Sequence, residues 1–323
     1  MSDWLLLDGA RRLLADTCTH EVVQQAEAEG WSPVVWDAVA GAGYSSLADL
    51  EPAEALGVLA VAGEHAAPVP VAEAALAGWL LGGSVPAPVS VVPAGELRLE
   101  RGLLSGTSLH VPWGHAVEHV VAVADGTAVL VPVASAVAVE RHTNLAGEPR
   151  DSLVFEDAEP RAMREAACNL FERGALTRVA LISGALTAMG RLTVSYAAER
   201  RQFGRPIASF QAVQQHLVEI AQAASLVAAA ADGAARVPGT FEIAAAKVLA
   251  SSAALTATRA AHQVHGAMGM TQEYRLHHFT RRLWAWRNEY GDEQHWAEIL
   301  GGAVAGAGAD RLYPTITGGS AVV

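Results

Sequence analysis

Lysine is almost missing from this chain: Lys247 is the only one among 323 residues, so arginine carries nearly all of the positive charge. Acids outnumber bases, 34 Asp and Glu against 22 Lys and Arg, for a net charge of −12. That balance argues against a general nucleic-acid or membrane-surface role. It leaves room for a polyanionic ligand, which responds to local rather than net charge. Only two cysteines occur, Cys18 and Cys168, far apart and at no CxxC or metal-ligand spacing. They read as free buried thiols in a reducing cytosol. The start, "MSDWLLLDGARRLLAD", has no basic region followed by an apolar run, and no stretch of ~20 apolar residues lacks charges and breakers. A soluble, cytoplasmic protein without a membrane span is the expectation. Walker loops, G-x-S-x-G elbows, Ser/His/Asp triad motifs and a GxGxxG following a strand are all missing, which removes those enzyme classes.

What is present is apolar and small. Hydrophobic residues make up 51% of the chain and charged residues 17%, ample for a folded core. Residues 1–85 show helical periodicity in "DGARRLLADTC", "HEVVQQAEAEG", "WSPVVWDAVAGAG" and "LEPAEALGVLAVAGEHAA", predicting four to five short helices. From 86 to 157 the text turns β-branched and alternating, with "DG" and "GT" turns: a small β domain of short strands. From 158 to 323 long helices return, with Phe210, Val213, Leu217, Ile220 and Ala224 on one face at helical spacing. The predicted fold is α+β and mostly α: an N-terminal helical domain, a middle β domain and a C-terminal four-helix-bundle domain.

Three stretches could carry chemistry. In "YAAERRQFGRPIASFQAVQ" a long helix ends, Phe203-Gly204 turns the chain, Pro206 extends it, and Ser209 is placed to cap a second helix. Its arginines either grip phosphate through planar donors or cap helix carbonyls and pair with Glu199. In "AAHQVHGAMGMTQEYRLHHFTRR" a helix ends in a glycine-spaced turn, and Gln263 offers both donor and acceptor. His262, His265, His277 and His278 have no acid at metal-ligand spacing and read as surface or capping residues, so no metal is expected. In "WAWRNEYGDEQHWAEIL" the acids Glu289, Asp292 and Glu293 lie among aromatics, either as a general base raised by its surroundings or as a helix N-terminus.

Together these stretches resemble the acyl-CoA dehydrogenase family. "YAAERRQFGRPIASFQAVQ" is similar to the family's "Y…R.QFG.pi..FQ" signature, and "HQVHGAMGMTQEY", roughly sixty residues on, to its "Q..GG.G…EY" signature. The resemblance implies a flavoprotein that oxidises an acyl-CoA at Cα–Cβ, passing electrons to an electron-transfer flavoprotein. It places Arg200, Gln202 and Phe203 at the FAD pyrophosphate of a neighbouring subunit, and Gln211, Gln263 and Gly266 at the ADP portion. The family's base stands in a "YEGT"-like turn, where this chain has Tyr290 with Glu289 just before it; the alternative base position holds Gly174, with Glu172 two residues away. The flavin-contacting "TEP…GSD" stretch has no counterpart in 86–110. These departures resemble the short subunit of actinobacterial α2β2 dehydrogenases of the sterol side-chain type, which lacks the base and completes an FAD site with a longer homologue. Two other expectations stand beside it: a self-sufficient homo-oligomer using Glu289 as base, and a non-catalytic binding or scaffold protein of the same fold.

Overall fold

The computed structural model describes residues 3–85 and 88–318; the first residue of the expected β domain, 86, and the last residues of the expected bundle domain lie outside the described residues. Contacts divide the chain into two compact units, Met1–Ala62 with Ala67–Gly174, and Gly63–Ala66 with Ala175–Val323.

The first unit opens with α1 (Asp3–Thr17), α2 (His20–Glu29), α3 (Pro33–Gly41), α4 (Pro52–Glu64) and α5 (Val71–Leu81). Their ends follow local chemistry. Thr19 caps α2 by accepting from the Val22 N–H, Ser32 caps α3 with Pro33 at the first helical position, and Gly30 closes α2 in the left-handed region. α5, "VAEAALAGWLL", is buried almost throughout, and packs on β1 (Val89–Val91). The other strands are β2 (Ala94–Glu100), β3 (Leu103–Pro112), β4 (His119–Ala124), β5 (Thr127–Pro132), β6 (Ala136–Glu140), β7 (Arg150–Ala158) and β8 (Ala162–Glu165). They form two four-stranded sheets, ordered β1-β4-β5-β8 and β2-β3-β7-β6. Alternate side chains fill the core of this region, among them Leu104, Val111, Trp113, Val120, Val129, Leu153 and Phe155. β8 is a correction, because the helical text was read as beginning at 158. The residues of β8 are all exposed, paired at the sheet edge with β5 and tied to the end of α5 by Arg164, which donates to the Leu81 carbonyl at 2.9 Å, so the strand owes its existence to pairing rather than to pattern.

The second unit is helical: α6 (Leu170–Glu199), a two-strand hairpin of β9 (Arg201–Gln202) and β10 (Arg205–Pro206), then α7 (Gln211–Arg236), α8 (Thr240–His265), α9 (Leu276–Trp286), α10 (Glu293–Ala307) and α11 (Leu312–Gly318). α8 is its axis, packing along α7 and α10. Small residues allow the close approach: a Cβ at Gly190 of α6 would meet Ile220 of α7 at 3.3 Å. Two helices, α6 and α7, are long and apolar enough to cross a membrane by length and composition. The sequence reading had excluded such spans; isolated Arg, Glu and Gly residues are too few to lower the average. Over its apolar stretch α7 is only 17% buried. Cys18 is buried and Cys168 half-buried, and no disulfide joins them.

Candidate functional site

The first predicted corner is built where α6 stops. The Arg200 N–H still donates to the Tyr196 carbonyl, and the Ile207 N–H then donates back to the Arg200 carbonyl, closing the hairpin. Its two turn residues both have positive φ, Phe203 at 50° and Gly204 at 80°, the twist that two-residue hairpins favour. Glycine takes that conformation freely, whereas for phenylalanine it costs roughly 1–2 kcal/mol. Phe203 is also 91% exposed. Its ring meets Phe210 edge-on at 6.1 Å, and the Arg205 guanidinium lies 4.3 Å from the Phe210 ring centre. Ser209 does not cap α7. Its hydroxyl donates to the Pro206 carbonyl, and Phe210 takes the cap position without a side-chain bond.

The second corner lies at the C-terminal end of α8. Gly266 turns the chain with φ +57°, and a Cβ there would meet nothing within 4 Å; at Gly269 a Cβ would press on His265 and Leu276 at 3.0 Å. The first glycine leaves the backbone open to a ligand, and the second permits the fold of the turn. His265, expected as a surface or capping residue, is buried, with its ring stacked on Tyr196 at 4.4 Å. Its Nδ1 lies 2.8 Å from the Ala261 carbonyl, so Nδ1 carries the proton and donates. Burial pushes both His262 and His265 below the ordinary histidine range, which keeps the pair neutral.

These corners meet in one open pocket of about 520 Å³. Arg200, Gln202, Phe203, Gln263 and Gly266 all line it, with Tyr196, Ile207, Phe210, Val213, His265 and Met268. Gln211 does not: it is exposed on the first turn of α7. Phe210 and Val213 were legible only as members of an apolar helical stripe, and nothing in the sequence marked them as pocket wall. The lining suits an anionic dinucleotide fragment. It holds one guanidinium, two amides, aromatic faces, an open glycine backbone and no carboxylate.

The third stretch forms a separate corner. Tyr290 is buried at φ +53° and is followed by Gly291 at φ +88°. Arg178, one turn beyond Gly174 on α6, lies with its guanidinium 5.2 Å from the Tyr290 ring centre, and its Nε donates to Glu289 Oε2 at 2.6 Å. Glu289 is therefore the partner of a buried arginine. Asp292 caps α10 by accepting from the His295 N–H, with Glu293 in the first turn. Glu172 sits in the first turn of α6, where the helix dipole favours an acid.

Proteins of known structure define the class. The chain superposes on the ChsE4–ChsE5 complex from Mycobacterium tuberculosis with a TM-score of 0.82, at 23% identity over 94% of this chain and 97% of that one. It superposes on the Tcur3481–Tcur3483 steroid ACAD G363A variant with a TM-score of 0.81, at 26% identity over 95% and 99% of the two chains. The fold is thus that of an acyl-CoA dehydrogenase, and residues 165–304 match the family model described as "Acyl-CoA dehydrogenase, C-terminal domain". Among curated proteins, acyl-CoA dehydrogenase FadE28 of M. tuberculosis is 27% identical over 214 residues, 62% of each chain. The chain spans between 24% and 62% of the length of the curated relatives it matches.

Proposed function

We propose that this chain is the short subunit of an acyl-CoA dehydrogenase: it completes an FAD site, and a longer homologue contributes the catalytic carboxylate. One juxtaposition carries the reading. Five residues that the resemblance assigns to FAD line a single pocket, while Tyr290 stands at the usual base position and Glu289 beside it is spent on Arg178.

FAD is the cofactor, and the pocket fits part of it. Arg200 would neutralise the pyrophosphate, a planar donor against a dianion. Gln202 and Gln263 supply amide donors and acceptors, and the open backbone at Gly266 lets the ligand approach closely. Phe203 and Phe210 exclude water from the same wall. When bound, FAD supplies the hydride acceptor for α,β-dehydrogenation of an acyl-CoA thioester. The pocket is open, and exposed Phe203 and Met268 are among its lining residues, as suits a site shared with a second chain. A two-protein complex and a paired steroid ACAD of the same fold support a heteromer acting on a sterol-type acyl-CoA. By the same likeness an electron-transfer flavoprotein would take the electrons.

The test is expression with and without a longer homologue, followed by visible spectroscopy. The expected result is a colourless chain alone and a yellow complex that bleaches with acyl-CoA. A yellow isolated chain that bleaches with acyl-CoA would overturn the short-subunit reading.

A further inference from the structure

The chain's only lysine is fully buried, an unusual place for the residue type most often found at surfaces. Lys247, near the start of α8, donates through Nζ to the Arg287 carbonyl at 2.7 Å and to the Gly291 carbonyl at 2.8 Å. Ser251, one helical turn on, also donates to the Arg287 carbonyl, and Arg287 Nε donates back to the Ser251 carbonyl. Trp296 Nε1 donates to the Tyr290 carbonyl at 2.8 Å. The carbonyls of 287, 290 and 291 are thus all taken by side chains. This turn between α9 and α10 is held from outside by side chains as well as by the backbone N–H groups of 287–289, which donate to carbonyls of α9, and Tyr290 is kept in the left-handed region.

The charges converge on one residue. Arg178 and Lys247 are both buried cations and reach the turn from different helices, α6 and α8. Four charged groups act on Lys247: Glu289 and Asp292 favour its charged form, and Arg178 and Arg287 oppose it. Burial is the strongest influence and brings the ammonium down to about 7. A carboxylate bonded to a buried guanidinium is committed. Protonating it would leave Arg178 uncompensated in a poorly solvated place, which is costly.

We infer that Glu289 is the counter-ion of the buried Arg178, and that Lys247 is the positioning residue of the 287–291 turn, so that a structural charge cluster occupies the ground next to the missing base. The inference deepens the proposed function by giving a reason why this chain supplies no proton acceptor, and its test needs neither flavin nor partner.

Because the chain has one lysine, ¹³Cε-labelled lysine yields a single NMR resonance from the full-length protein. Its pH titration should have a midpoint near 7. Glu289→Gln should lower that midpoint, and Arg178→Met should raise it, each by roughly one unit or more, as for a charge removed at close range. Should Glu289→Gln fail to fold, Glu289→Asp keeps the charge and should keep the midpoint near 7. A midpoint near the ordinary ~10.4, or one that neither Glu289→Gln nor Arg178→Met moves, overturns the cluster. So does a Glu289→Gln chain that leaves the midpoint in place but abolishes turnover of the flavin-loaded complex, since Glu289 would then be the base. Failure of the complex to bind flavin, with the titration behaving as described, would sink the proposed function and leave this inference standing.

Discussion

Gln263 and Lys247 stand on one helix, about 24 Å apart along its axis, and their surroundings could hardly differ more. Gln263 itself is exposed, the backbone opens at Gly266, and Phe203 is held out in water at a strained φ. Lys247 itself is fully buried, the carbonyls of 287, 290 and 291 each have a side-chain donor, and Arg178 answers Glu289. The open end has unspent hydrogen-bonding capacity and so can bind. The closed end has committed its polar groups and so can only hold shape. A carboxylate in the second setting is a poor proton acceptor, although in sequence it looks as available as any other.

The comparison breaks most decisively at the closed end. Arg178→Met leaves Glu289 without its buried partner and should lower unfolding free energy by about 3–5 kcal/mol, read by urea denaturation; a loss under ~1 kcal/mol would mean the pair is solvated and the contrast false. At the open end, Arg200→Ala should leave stability nearly unchanged and weaken FAD binding by the complex ~10- to 100-fold, the equivalent of one charge-assisted bond, measured by flavin fluorescence titration. Equal binding by wild type and variant would take the phosphate away from Arg200.

Lys247 sharpens the contrast through pH. Its native-state affinity for protons is reduced, so the unfolded chain binds more protons between about pH 7 and the ordinary lysine value. Stability should therefore rise with pH across that window through this residue, and Lys247→Met should remove that part of the slope in denaturation series at fixed salt. The histidines at the open end work in the acid range. Their affinities are also reduced, so stability should fall as pH drops below the ordinary 6.5, and His265→Phe should blunt that fall. Smallest of all, Phe203→Gly should raise thermal stability slightly, by about 1 kcal/mol from relieved backbone strain, while weakening flavin binding. A variant less stable than wild type would show that Phe203 packs in the isolated chain and is not kept for a ligand.

Much of the architecture was legible because it rests on local pattern. The alternation of apolar residues announced the β region, and the 3.6-residue stripe through Phe210, Val213, Leu217 and Ile220 announced α7. Positions that depend on pairing were not: β8 is exposed at every residue and exists because β5 offers it an edge. The pocket was half legible. Arg200, Gln202, Phe203, Gln263 and Gly266 stand out by residue type at helix ends, but Gln211, of the same chemistry, is exposed at the first position of α7 and does not line the pocket. His265 reads as a surface or capping residue, since no pattern reveals that Tyr196, 69 positions earlier, will stack on it.

By itself, then, the amino-acid order determined the helix and strand periods, the glycine turns and the clustering of cations at one helix end, all of which depend on neighbours a few residues apart. Only the tertiary structure decided which of those groups remain available for chemistry. Arg178 reaches Glu289 across 111 positions and Lys247 reaches the Arg287 carbonyl across 40. A buried charge is settled by whatever lies within a few ångströms in space, however far away it is in the chain.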